Sequence, residues 1–282
     1  MSSVAPPAPR KRSILLLAVL GFLFVMVPYL FWRDTWFGRP LTNQEIGQYL
    51  QDSAHPRKIQ QALSQIADRI LRGDATVQPW YPQIAALAHH PNAVLRTTAA
   101  WVMGQDSSSQ PFHAALLDLV KDSDLMVRRN AALALVRFQD ASGRGELLKI
   151  LQPTSMVAPV EGTVSIQTQP GQEIGAGGLL IRIRAAEGKE AELRSPFAGK
   201  VNRVLPQNGS RVAMGDVVVS VSPGADQVSE ALRGLSLVGQ PEDLPLVERC
   251  GEAAAAMPDR IRQQAVLTAQ AIRTRAERNP SR

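Results

Sequence analysis

A chain of 282 residues, 45% hydrophobic and 20% charged with a formal charge of +6, has enough apolar material for a sizeable core and for more than one folded unit. Its single cysteine, Cys250, excludes an internal disulfide and any zinc site built from paired cysteines. The positive excess is modest, part of it lies in Arg10, Lys11 and Arg12, and no basic stripe is interleaved with aromatics, so nucleic acid is not indicated as a partner.

Residues 14–32, ILLLAVLGFLFVMVPYLFW, carry no charge, and roughly twenty apolar residues suffice for a helix to cross a bilayer. The sequence therefore predicts a transmembrane anchor over residues 13–33 behind a basic, cytoplasmic N-terminus, residues 1–12. Arg10, Lys11 and Arg12 orient it with the N-terminus inside. That predicts a single-pass protein of the inner (cytoplasmic) membrane, with the bulk of the chain on the periplasmic, exported side. Tyr29, Trp32 and Trp36 suit the outer interface, and no small-x-small cleavage site follows the apolar run.

Over residues 41–151 apolar positions recur at helical spacing in short segments divided by Pro, Asp, Ser and Gly, which predicts many short helices. The run Asn92-Ala93-Val94-Leu95-Arg96-Thr97-Thr98-Ala99-Ala100 aligns with Asp124-Leu125-Met126-Val127-Arg128-Arg129-Asn130-Ala131-Ala132 at an offset of 32 residues. Arg96 falls on Arg128 and the alanine pairs coincide, so the segment is repeated. A further copy stands near the C-terminus, in residues 224–279, where Arg262 precedes Ala265 by three positions as Arg96 and Arg128 precede Ala99 and Ala131. The pattern resembles the second helix of a HEAT-type repeat. That resemblance implies a stacked helical solenoid in which the alanines let helices approach closely and the arginine pairs near the turn with a carboxylate such as Asp122 or Asp124.

Between residues 152 and 223 Val, Ile and Thr rise and Gly and Pro recur, the signature of short strands and turns. The segment is duplicated: Ala158-Pro159-Val160-Glu161-Gly162-Thr163-Val164 matches Ser195-Pro196-Phe197-Ala198-Gly199-Lys200-Val201, Gly171 matches Gly209, and Gly177 before Leu179 matches Gly215 before Val217. Both halves therefore fold alike. The motif resembles the lipoyl/biotinyl-attachment, or barrel-sandwich hybrid, domain, which implies a small all-β sandwich inserted between the helices Gly145–Leu151 and Val228–Val238. In carriers of that family a hairpin lysine for the prosthetic group stands seven residues before the second (A/S)-P. Here that position is Gly188, with Lys189 one place away, so modification at Lys189 is not expected and no cofactor is assigned. Anchor plus sandwich also resembles membrane fusion, or periplasmic adaptor, proteins of bacterial secretion and efflux systems, although only about ten residues join the two halves, where those proteins carry a long helical hairpin.

Chemistry finds no foothold. His55, His89, His90 and His113 show no metal-ligand spacing, and no nucleophile elbow, Walker loop or dinucleotide fingerprint occurs. The expected fold class is multidomain α and β: an N-terminal transmembrane helix, a HEAT-like solenoid and an inserted barrel-sandwich hybrid. The expected function is a non-enzymatic, membrane-anchored adaptor or scaffold that binds other envelope or membrane proteins, without metal or small-molecule substrate, and that serves an export system. The alternatives are a structural or assembly subunit of an unrelated membrane complex and, more distantly, a prosthetic-group carrier.

Overall fold

The computed structural model describes residues 19–29, 39–186, 188–252 and 257–278. Residues 1–65 and 66–282 form separate units. In the first, the described part of the apolar N-terminal stretch is a helix over residues 19–29. No helix among the described residues is long and apolar enough to cross a membrane. This overturns the expected transmembrane anchor over 13–33, and with it the single-pass inner-membrane location with an exported bulk. Residues 1–18 and 30–33, on which the rest of that expectation falls, lie outside the described residues. The unit continues with α1 (Asn43–Gln51) and the first part of α2 (Pro56–Leu71), a helix that runs on past residue 65. A capping box starts α1: the Glu45 amide donates to Thr42 Oγ1 at 3.2 Å and the Thr42 amide to Glu45 Oε2 at 2.8 Å, so two otherwise unpaired amides are satisfied reciprocally.

The second unit is built of helix pairs: α3 (Tyr81–Ala86) with α4 (Ala93–Met103), α5 (Gln110–Leu119) with α6 (Leu125–Arg137), α7 (Arg144–Ile150) with α8 (Ala225–Val238), and α9 (Leu244–Glu252) with α10 (Asp259–Arg278). Asn92, Ser109 and Asp124 start α4, α5 and α6 by accepting amides of the first turn, which fixes where each short helix begins. Small side chains bring neighbouring second helices together. Ala99, Ala100, Ala131 and Ala132 are fully buried, α4 packs on α6 and α6 on α8, and a Cβ added to Gly104 would come within 2.8 Å of Ala134 Cβ. The core runs on into the C-terminal helices: Ala132, Leu147, Leu232, Val247, Cys250, Ala265 and Ile272 belong to one buried cluster.

The eight strands of the described residues lie in the chain between α7 and α8: β1 (Thr154–Val157), β2 (Gly162–Ile166), β3 (Glu173–Ile174), β4 (Leu179–Arg184), β5 (Glu190–Arg194), β6 (Gly199–Val204), β7 (Arg211–Val212) and β8 (Val217–Pro223). They form two antiparallel four-stranded sheets, ordered β1-β8-β6-β3 and β5-β4-β2-β7. The internal duplication is visible in these orders, since exchanging each strand for its counterpart in the other half converts one sheet into the other. Single hydrogen bonds repeat as well. Ala158 N donates to Asp216 O at 2.8 Å and Gly215 N to Ala158 O at 2.9 Å, while Ser195 N donates to Gly178 O at 2.8 Å and Gly177 N to Ser195 O at 2.7 Å. Gly171, Gly177, Gly209 and Gly215 all have positive φ, the backbone region that glycine enters without steric cost. Gly162 and Gly199 serve another purpose: a Cβ there would collide with the carbonyl oxygens of Arg184 and Ser222 on neighbouring strands.

Gly199→Ala is expected to destabilise the protein by about 1–3 kcal/mol, because a backbone atom cannot yield as a side chain would. Gly145→Ala, in helix α7 with open space around it, is expected to be neutral or stabilising by under about 1 kcal/mol. Urea unfolding of both variants checks the contrast.

Candidate functional site

The repeat arginines tie each helix to the turn before it. Arg96, at the start of α4, makes a bidentate pair with Asp122 (Nε to Oδ2 2.7 Å, Nη2 to Oδ1 2.8 Å), while its Nη1 donates to the carbonyls of His90 and Pro91 at 2.8 and 3.1 Å. Arg128 repeats the second feature one repeat later, with Nη1 on the carbonyls of Asp122 and Ser123 at 2.8 and 2.9 Å and Nε 3.5 Å from the Glu146 carboxylate. Arg262 pairs with Asp259 within the first turn of α10. The same inter-repeat logic joins Tyr81 to Asp106 at 2.8 Å and His113 to Asp140 at 2.7 Å. The Arg96 guanidinium holds the Asp122 carboxyl below the usual carboxylate range. These arginines brace the scaffold and leave its open surfaces to other residues. Lys189 is exposed beside the turn between β4 and β5, where its carbonyl accepts from Ala185 N at 2.9 Å.

Beside Arg128 stands a residue that departs from the repeat. Arg129 occupies the place of Thr97 in the earlier copy, is only 3% exposed, and reaches out of the helices into the β-domain. Its Nη2 donates to Thr154 Oγ1 of β1 at 2.8 Å and its Nη1 to Gln227 Oε1 of α8 at 3.3 Å. The guanidinium lies 4.3 Å from the ring centroid of Phe197, the loop residue before β6. Gln227 Nε2 and the Gly224 amide both donate to Ala198 O, at 3.2 and 3.1 Å, and Leu125 and Met126 of α6 pack against the β-domain core. Burial pushes the Arg129 pKa down to about 10, so the group remains a cation at neutral pH. Nε has no hydrogen-bond acceptor, and the charge is offset by the face of Phe197 and by the carboxylate of Glu146.

An open groove of about 400 Å³ crosses α4, α6 and α8. Leu133, Ala134, Gly104 and Gly234 are among its lining residues, and Trp101, Arg137, Glu230, Arg233 and Leu237 line it where those helices meet solvent. Trp101 is 42% exposed and Leu237 61%, so two large apolar side chains face solvent at this groove. Arg137 is held in place by Gly104 O at 3.3 Å and Gln105 Oε1 at 2.8 Å. Among the described residues no group of His, Cys, Asp or Glu side chains is arranged to hold a metal ion.

Residues 81–155, from α3 to the start of β1, match the family of HEAT repeats. A solved structure described as that of a single-chain, multi-domain long-chain acyl-CoA carboxylase is 25% identical over 35% of this chain, with a TM-score of 0.24. The chain covers 10% of that protein's length. No curated protein matches significantly.

Sequence patterns pointed to Arg96 and Arg128 but not to Arg129 or the groove. The one signal for Arg129 was its break with the repeat, a cation where Thr97 stands in the earlier copy. Arg129→Ala is expected to cost roughly 2–4 kcal/mol through the lost charged hydrogen bonds and ring contact. Arg129→Met, which keeps the packing without burying charge, is expected to cost less; thermal unfolding of both separates the two terms. Because Asp122 has its pKa lowered on folding, its stabilising contribution is complete above the unfolded value of ~3.9 and is lost as pH falls below it. Asp122→Asn should therefore destabilise at neutral pH and flatten the decline of stability below about pH 4, as read from urea midpoints across pH.

Proposed function

We propose that this protein is a non-enzymatic scaffold whose helical repeats hold a segment of another protein in the groove across α4, α6 and α8. The observation that carries the proposal is that groove, an apolar floor flanked by the exposed Trp101 and Leu237. Solenoids of stacked repeats characteristically bind partners on extended surfaces of this kind, and partly exposed tryptophan and arginine are the side chains that dominate binding energy at protein interfaces. The β-domain supplies a second surface, fixed in relation to the helices by Arg129. Its internal duplication resembles lipoyl/biotinyl-attachment domains. Lys189 stands one place from the position at which those carriers hold their modified lysine, which favours a docking role over a carrier role.

A photo-reactive amino acid placed at Trp101 in the native host is expected to give an adduct with a discrete partner, and Leu237→Glu should abolish it. The same probe at Ser123, exposed on the turn before α6, should give none. Identical adducts from both positions, or adducts indifferent to Leu237→Glu, would overturn the proposal.

A further inference from the structure

We infer that the segment held by the groove is acidic and carries a bulky apolar side chain: the apolar group packs between Trp101 and Leu237, and its carboxylates meet Arg137 and Arg233. This rests on the groove being a docking site and names the chemistry of its occupant. The charge balance of the helical part motivates it. Arg96 is paired with Asp122, Arg128 with Glu146, Arg144 with Glu242 and Asp243, and Arg273 with Glu248. Among the described residues neither Arg137 nor Arg233 forms an ion pair; Arg249 and Arg275 form none either, but those two lie on other helices and bond to backbone carbonyls, whereas Arg137 and Arg233 line one groove together.

Arg137 is oriented by two neutral oxygens, which occupy only its Nη1. A guanidinium has five N–H donors in a fixed fork suited to a carboxylate, so Arg137 enters binding already positioned and with donors to spare. Arg233 is exposed on α8 one turn beyond Glu230, the sole carboxylate of the groove lining. Glu230 disfavours a second carboxylate at its own end of α8, which directs the acidic group of the occupant toward Arg233 and Arg137. The neutral polar side chains of the lining, Gln105 and Asn130, already donate to the carbonyls of Trp101 and Met126, which leaves Leu133 and Ala134 as surface for an apolar inserted group.

The test uses the full chain and three fluorescein-labelled helical peptides of one Leu pattern whose intervening residues are Glu, Gln or Lys. By anisotropy at low salt the Glu peptide is expected to bind at least about tenfold more tightly than the Gln peptide, a preference that fades as salt is added. Arg233→Gln, at an exposed position that cannot disturb the core, and the double variant with Arg137→Gln should remove the preference and leave affinity for the Gln peptide unchanged. Equal affinity for Glu and Gln peptides, tightest binding of the Lys peptide, or no binding of any of them overturns the inference. Trp101→Ala distinguishes the two levels. Binding without charge preference that Trp101→Ala abolishes sinks only the acidic occupant, whereas peptide binding indifferent to Trp101→Ala sinks the groove as a docking site as well.

Discussion

A guanidinium taken out of water needs acceptors for its donors and something other than water against its faces. Arg129 finds these only where three separate parts of the chain meet: Thr154 of β1, Gln227 of α8 and the ring of Phe197 before β6. A β-domain displaced from the helices would take away the Thr154 hydroxyl and the Phe197 ring and leave the cation with Gln227 and the charge of the nearby Glu146. The cost of leaving a buried charge unpaired is far larger than that of an exposed one, so this one side chain makes the position of the β-domain a condition of the packing around it. The orientation of any surface the β-domain presents follows from that contact.

The helices themselves depend on small residues more than on charge. Alanine pairs and glycine at the crossings of α4, α6 and α8 leave little room between backbones, and close approach concentrates the larger side chains outward on the open edge of the stack. Trp101, Arg137 and Leu237 emerge there together. A tight interior and an apolar groove are thus two results of the same pattern: what the small residues exclude from between the helices is displayed along them. The ties from Arg96 and Arg128 to the turns ahead of them keep successive pairs in register, so the spacing of the groove residues is inherited from the 32-residue repeat.

The β-domain answers a different constraint. Two copies of a short sequence, each too small to bury a core, complete one another by giving two strands apiece to both sheets of a sandwich, with Val164, Ile181 and Ile183 of one half and Phe197, Val201, Val219 and Val221 of the other in one cluster. Its position in the chain, between the two helices of a pair that still pack together, gives α7 and α8 a continuous core with Leu147, Ile150, Val228 and Leu232. The helical stack passes beneath the β-domain without a break.

The repeat of Arg96 with Arg128, the alanine pairs and the duplicated glycines were legible in the sequence because each expresses a local requirement: a helix face, a tight crossing, a turn of positive φ. The N-terminal stretch was not read correctly: composition over residues 14–32 satisfies the length of a membrane span, yet no helix among the described residues is long and apolar enough to cross a membrane. Arg129 and the groove were beyond local pattern altogether. Arg129 meets Gln227 across 98 residues of chain, and Trp101, Arg137 and Arg233 share a surface although they lie on three helices, one of them beyond the whole β-domain. The amino-acid sequence by itself determined the periodicities and hence the elements. Only tertiary structure decided which side chains came together, because contacts between distant segments are fixed by the packing of whole elements and leave no spacing rule behind.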